Sequence, residues 1–135
     1  MSHSQFVPQE MHRAIELAWR CRDECQTTLF HHCLAMGGSH VEQSHVKLMA
    51  DCIQICQSAA DFMTRGSAMH AEICRACAAV CEACAASCDE VGGEDMQRCA
   101  EICRECAQIC RDMAGHGAQR AGASQGQPQA QPSVF

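Results

Sequence analysis

Cysteine dominates the chemistry open to this chain. Fourteen thiols occur in 135 residues, with eight methionines and eight histidines beside them. Twelve of the thiols fall into C-x-x-x-C pairs: Cys21/Cys25, Cys52/Cys56, Cys77/Cys81, Cys84/Cys88, Cys99/Cys103 and Cys106/Cys110. Cys33 and Cys74 complete the set. On a helix, residues four apart share one face a turn apart, so each pair aims two flexible Cβ–S arms the same way. Two such sulfurs can swing together on a metal ion without distorting the backbone.

Longer runs follow the same rule. His70, Cys74, Cys77, Cys81, Cys84 and Cys88 step by 4, 3, 4, 3, 4, and Met96, Cys99, Cys103, Cys106, Cys110 and Met113 by 3, 4, 3, 4, 3. His45, Met49, Cys52, Cys56, Ala59 and Met63 keep the same alternation. This is the spacing of the seam that faces the axis of a helical bundle, here built from sulfur. Cys21 and Cys25 fall in line with Ala14, Ala18 and His32, whereas Cys33 lies one residue off that line. A second apolar line (Leu48, Ile55, Phe62; Ile73, Val80; Ile102, Ile109) runs beside the sulfur and widens the buried face. Arg75, Glu82, Arg104, Glu105 and Asp112 fall off both lines and belong in solvent.

These stripes require long helices, and the breaks supply them. Gly37-Gly38-Ser39, Arg65-Gly66-Ser67 and Val91-Gly92-Gly93 divide the chain into four segments, about 9–36, 40–64, 67–90 and 94–114. No proline interrupts them. Short connections favour antiparallel neighbours, so the expectation is an all-α, up-down-up-down four-helix bundle with a cysteine-lined core. Residues 1–8 form an N-terminal extension, and 115–135, rich in Gly, Gln, Ala, Ser and Pro, read as a disordered tail.

Charge and leader sequence narrow the setting. A net charge of −6 with no basic run gives no sign of a nucleic-acid partner. No stretch is long and apolar enough for a membrane span, and residues 1–8 lack the basic and apolar regions of an export signal. The expected location is the cytoplasm, where clustered thiols serve metal binding or redox chemistry rather than structural disulfides.

Four uses of the thiols compete. Cysteine can act as a small core hydrophobe, but Leu or Ile would pack a bundle better at nearly every position. Disulfides within a helix are poorly placed, because i,i+4 Cβ atoms stand ~5–6 Å apart. Cys74-Arg75-Ala76-Cys77, Cys81-Glu82-Ala83-Cys84 and Cys103-Arg104-Glu105-Cys106 match C-x-x-C, but no βαβ pattern surrounds them. A thiol oxidoreductase is therefore the weakest alternative. Metal binding remains. Zinc prefers closed four-ligand sites, into which a continuous ladder does not divide, and the spacing of iron–sulfur proteins is missing. Only Glu42-Gln43-Ser44-His45 matches the Glu-x-x-His of a di-iron bundle, which needs two. Soft thiolates and thioethers select Cu(I), so the expectation is a row of Cu(I) ions. Zinc or general soft-metal detoxification stays as the alternative.

The run Glu72-Ile73-Cys74-Arg75-Ala76-Cys77, continued through Cys81-Glu82-Ala83-Cys84 to Cys88, Cys99, Cys103-Arg104-Glu105-Cys106 and Cys110-Arg111-Asp112-Met113, resembles the bacterial four-helix-bundle copper-storage proteins, in particular their cytosolic branch. The resemblance covers about residues 10–114. It implies storage or buffering of several Cu(I) ions by the fourteen cysteines, with no catalytic turnover, in a homotetramer of bundles served by a copper donor or acceptor. It also implies a mouth at the end holding the first loop, where His32, Met36 and Met49 match best, with His45 and Met96 as further ligands. His45 and Met96 stand where the richest members can carry cysteine, so a lower capacity is expected.

Overall fold

The computed structural model describes residues 6–123, of which 116–123 as backbone alone. Helix α1 is Gln9–Thr27, and it runs on through a π-helical turn, Thr28–Cys33, into a last α-helical turn, Leu34–Met36. A 3₁₀ turn at Gly38–Val41 leads into α2, Gln43–Thr64; α3 is His70–Val91 and α4 is Glu94–Ala123. No strand occurs among the described residues.

The breaks read from the sequence are where the chain turns. Gly37 ends the first rod at φ +69° and Gly92 ends α3 at φ +82°, a backbone region that costs a residue with a Cβ but not glycine. Glu42 caps α2, its carboxylate accepting from the His45 backbone N–H at 3.4 Å.

Each helix packs on its chain neighbour, and α1 closes the ring on α4. The directions follow from which thiols meet. Cys56 approaches Cys77 and Cys52 approaches Cys81, so α2 and α3 run in opposite senses. Cys21 touches Cys52 and Cys33 touches His45, which sets α1 against α2, while Cys25 against Cys99 and Cys21 against Cys103 set α1 against α4. The bundle is therefore antiparallel and up-down-up-down, as the short loops predict.

The core is narrow. Its width comes from thiols, alanines and methionines, with Ile15 the largest aliphatic side chain wholly buried. The second apolar line flanks this core: Ile102 is buried, while Leu48, Ile55, Phe62, Ile73, Val80 and Ile109 are half-buried. The charged residues off both lines make surface ion pairs, Arg104 with Asp89 at 2.6 Å and Arg111 with Glu82 at 3.0 Å.

Two expectations change. The fourth helix does not stop at 114 but continues to Ala123. Gly115 and Gly117 weaken a helix by ~1 kcal/mol each relative to alanine, yet adding residues to a formed rod is far easier than starting one. The expected disorder of the rest of the tail, 124–135, lies outside the described residues. The second change concerns α1. Had α1 stayed α-helical, His32 would continue the Cys21/Cys25 line and Cys33 would miss it. The π-helical turn takes up one extra residue. As a result Cys33 is fully buried on the seam and His32 is half-buried beside it.

Candidate metal centre

All fourteen cysteines are buried with free thiols. They reach the interior because the 3-4 alternation keeps one stripe of each helix on the axis. Cys25 lies 3.5 Å from Cys99 and 3.6 Å from Cys103; Cys52 lies 3.7 Å from Cys81, and Cys56 lies 3.6 Å from Cys81. Further contacts at 3.8–3.9 Å join Cys21 to Cys52 and Cys103, Cys56 to Cys77 and Cys106, and Cys77 to Cys81.

These separations suit an ion as well as they suit bare thiols. At a metal–sulfur distance of ~2.3 Å, sulfurs sharing one ion stand about 3.8 Å apart in tetrahedral geometry and about 4.0 Å in trigonal geometry. Loading therefore needs rotation about Cα–Cβ bonds and little helix movement. Among the described residues, three groups hold their sulfurs within 4.8 Å of one another: Cys21/Cys25/Cys52/Cys103, Cys21/Cys56/Cys81/Cys106 and Cys77/Cys106/Cys110. Cys21 serves the first two and Cys106 the last two. The ladder thus does gather into four-thiol sets, contrary to the sequence-based expectation, because cross-helix neighbours meet at one level. The sets share members, however, so they form one linked column and not separate sites.

The thiols outside these groups extend the column. Cys88 is pushed up in pKa by the adjoining Cys84 and Cys99 thiols, and Cys74 adjoins Cys110 of the third group and helps to raise its pKa. The order along the axis is Cys88, Cys99 and Cys84; then Cys25, Cys103 and Cys52; then Cys21, Cys81, Cys56 and Cys106; then Cys77, Cys110 and Cys74. From Cys74 to Cys88 along α3 this spans about 21 Å.

Among the described residues no basic side chain is buried in the core, apart from the neutral-capable imidazoles of His45 and His70. Burial alone therefore favours neutral thiols over thiolates. Cys33 shows it most simply: burial, with Cys99 and Cys84 adding to it, raises its pKa from an ordinary 9.0 to about 11. Within the packed column neighbouring thiols act on one another, and hydrogen bonds from Cys103 and Cys25 pull the Cys84 pKa below its ordinary value. A soft cation entering the column replaces these protons and offsets the thiolate charge it creates.

A thiol–imidazole pair stands at the end formed by the 37–41 connection. Cys33 Sγ lies 3.9 Å from His45 Nε2, close to the ~4.3 Å that one ion bridging sulfur and nitrogen in line would set. His45 Nδ1 is 2.7 Å from Ser87 Oγ. With the ring proton on Nδ1 donated to that hydroxyl oxygen, Nε2 keeps its lone pair for Cys33 or a metal. Burial holds the His45 pKa below its usual value, which keeps the ring neutral and able to ligate. Nothing in the sequence singled out Ser87, since one serine on a helix carries no pattern.

The remaining candidates divide. Met49 and Met96 are fully buried on the seam. His32 stays at the rim, its Nδ1 3.3 Å from Asp95 and its ring edge-on to His40 at 5.0 Å. Met36 is 60% exposed on the last turn of the first rod.

The comparisons with known proteins agree with this geometry. Residues 7–115 match the family described as copper storage protein. A protein of Nitrosospira multiformis, solved by crystallography, is 40% identical over 80% of this chain and 97% of its own, with a TM-score of 0.77. The Cu(I)-bound copper storage protein BsCsp3 is 33% identical over 78% of this chain and 99% of its own, with a TM-score of 0.73. The apo copper storage protein 3 of Bacillus subtilis is 31% identical over 76% and 97%, with a TM-score of 0.69. No curated protein sequence matches. No helix among the described residues is long and apolar enough to cross a membrane. With a match across most of its length and a core of the kind such a role needs, the chain belongs to the copper storage protein family.

Proposed function

We propose that this protein stores Cu(I) in the cytoplasm, several ions to each chain, and performs no catalytic turnover. The observation that carries the proposal is the continuous column of buried, free thiols contributed by all four helices. A chaperone that passes on single ions needs one exposed pair, and an oxidoreductase needs one reactive pair beside solvent. This chain instead buries every thiol. Cu(I) suits the column because it accepts two or three soft ligands, so neighbouring ions can share sulfurs such as Cys21 and Cys106. The likeness to a Cu(I)-bound copper storage protein supports the same ion. On this reading the fourteen cysteines ligate, and Cys33 with His45 forms the outermost pair at the mouth, with Met49 and Met96 behind it and His32 and Met36 at the rim. Assembly as a homotetramer is part of the same reading, and the exposed apolar Leu34 near that end is the contact it would use.

A second reading has one observation in its favour. The two four-thiol sets are also what Zn(II) would choose. Competition separates the two. Reduced protein is loaded with Zn(II) under anaerobic conditions, Cu(I) is added, and released zinc is followed with a chromogenic chelator. Storage of Cu(I) predicts complete displacement of zinc. Zinc that stays bound in the presence of excess Cu(I) refutes the copper reading.

A further inference from the structure

The thiol column has two ends, each with a buried histidine, and only at one of them does the histidine Nε2 have a visible partner. At the other end stands His70, the first residue of α3, one turn before Cys74. It is only 3% exposed. Its Nδ1 lies 3.2 Å from the Ser67 carbonyl oxygen. A carbonyl can only accept, so the ring proton sits on Nδ1 and Nε2 carries a bare lone pair. That Nε2 is buried and has no hydrogen-bond partner. A buried nitrogen left without a partner works against folding, and a native structure seldom keeps one without a use for it.

The surroundings say what the use is. His70 continues the seam of Cys74, Cys77 and Cys81 at the same spacing. Cys74 belongs to none of the three sulfur groups but adjoins the Cys110 thiol. The arrangement mirrors the far end. There His45, near the start of α2, has Nδ1 held by Ser87 while Nε2 faces Cys33. Since α2 and α3 are antiparallel, their first turns lie at opposite ends of the bundle. In both places an oxygen engages Nδ1 and turns Nε2 toward the thiol column, the arrangement found around histidines that ligate metals.

We infer that His70 Nε2 is a Cu(I) ligand, which together with the Cys74 sulfur closes the copper column at the end opposite the mouth. The inference rests on the Cu(I) storage reading. Binding there forms one Cu–S bond with release of the Cys74 proton and one Cu–N bond with release of none, because the ring proton stays on Nδ1. An ion so held has one thiolate and one imidazole, so it is bound less tightly than those between thiolates and fills late.

The test is a side-chain ¹H–¹⁵N correlation spectrum of the reduced full-length protein, titrated anaerobically with Cu(I), with His70 assigned by its disappearance in His70→Leu. In the apo protein His70 should show the Nδ1–H tautomer. Its pyridine-type Nε2 signal should move far upfield as the last equivalents bind, and saturation of His70→Leu should come one ion lower. The His70→Leu apo protein should melt no lower than wild type, since the unpartnered nitrogen is gone. An Nε2 signal that stays in place to saturation, while the protein takes up several ions, overturns the inference and leaves the storage reading standing. Saturation of the wild type at a single ion overturns both.

Discussion

Deleting Phe30 should leave the protein folded and Cys33 still buried. In an uninterrupted α-helix each residue turns the chain by about 100°, so the position seven after Cys25 is residue 32, and residue 33 points about 100° away. The π-helical turn Thr28–Cys33 absorbs that extra residue and returns Cys33 to the axis. Removing Phe30 deletes the surplus, and Cys33 falls on the seam of an ordinary α-helix. Phe30 is 57% exposed, so no core side chain is lost and the melting free energy should change by no more than about 1 kcal/mol. That corresponds to a shift of about 3–4 °C at most in the melting temperature of the apo protein. Deleting Gln54 from regular α2 is the contrast. It turns every later residue by about 100° and drives Cys56, Ala59, Ala60 and Met63 off the axis, so the variant should not fold. The assay is thermal melting together with maleimide labelling of the native apo protein, read by mass spectrometry. Rapid labelling of Cys33 after Phe30 deletion, or a collapse of stability like that of the Gln54 deletion, would refute the reasoning.

Three other outcomes are expected. Cys21→Ala removes one buried sulfur, costing the apo protein about 1 kcal/mol, but because Cys21 serves two four-thiol sets it should weaken copper binding more than Cys33→Ala does; equal losses in competition titrations would argue against a shared sulfur. The pKa of Cys33 is higher in the fold than its ordinary 9.0, so its contribution to apo stability is complete below that pH and disappears as pH rises through about 11. This contribution is on the order of 2–3 kcal/mol, and unchanged urea midpoints up to about pH 11 would contradict it. Ser87→Ala should weaken the Cys33–His45 site by about tenfold, and Ser87→Thr, which retains the hydroxyl, should restore it; the readout is the copper–nitrogen contribution to the X-ray absorption spectrum, which should fall in the first variant and return in the second.

Much of this architecture is legible in the sequence because the core is repetitive. A thiol every third or fourth residue fixes which face of α2, α3 and α4 is buried, and paired glycines mark two of the three turns. The departures share a cause, in that each depends on a local adjustment no heptad pattern encodes. The misfit of Cys33 was visible as a one-residue offset, but that offset could equally have meant a thiol outside the core. Only the backbone shows that a π-helical turn resolves it. Ser87 and Ser67 matter through single hydrogen bonds to histidine nitrogens, and those depend on three-dimensional placement. The four-thiol groups likewise arise from levels matched across helices, whereas sequence spacing reports only levels within one helix.

The central claim is a multi-ion Cu(I) store, and counting the ions tests it most directly. Fully reduced protein is titrated anaerobically with Cu(I) in the presence of a chromogenic Cu(I) chelator, and the copper withheld from the chelator is divided by the chain concentration. The account predicts that the chain withholds several equivalents before the chelator colours, with a graded loss of capacity as column thiols are replaced. Colour that develops after one equivalent, or a capacity abolished by a single Cys→Ser change, would contradict it.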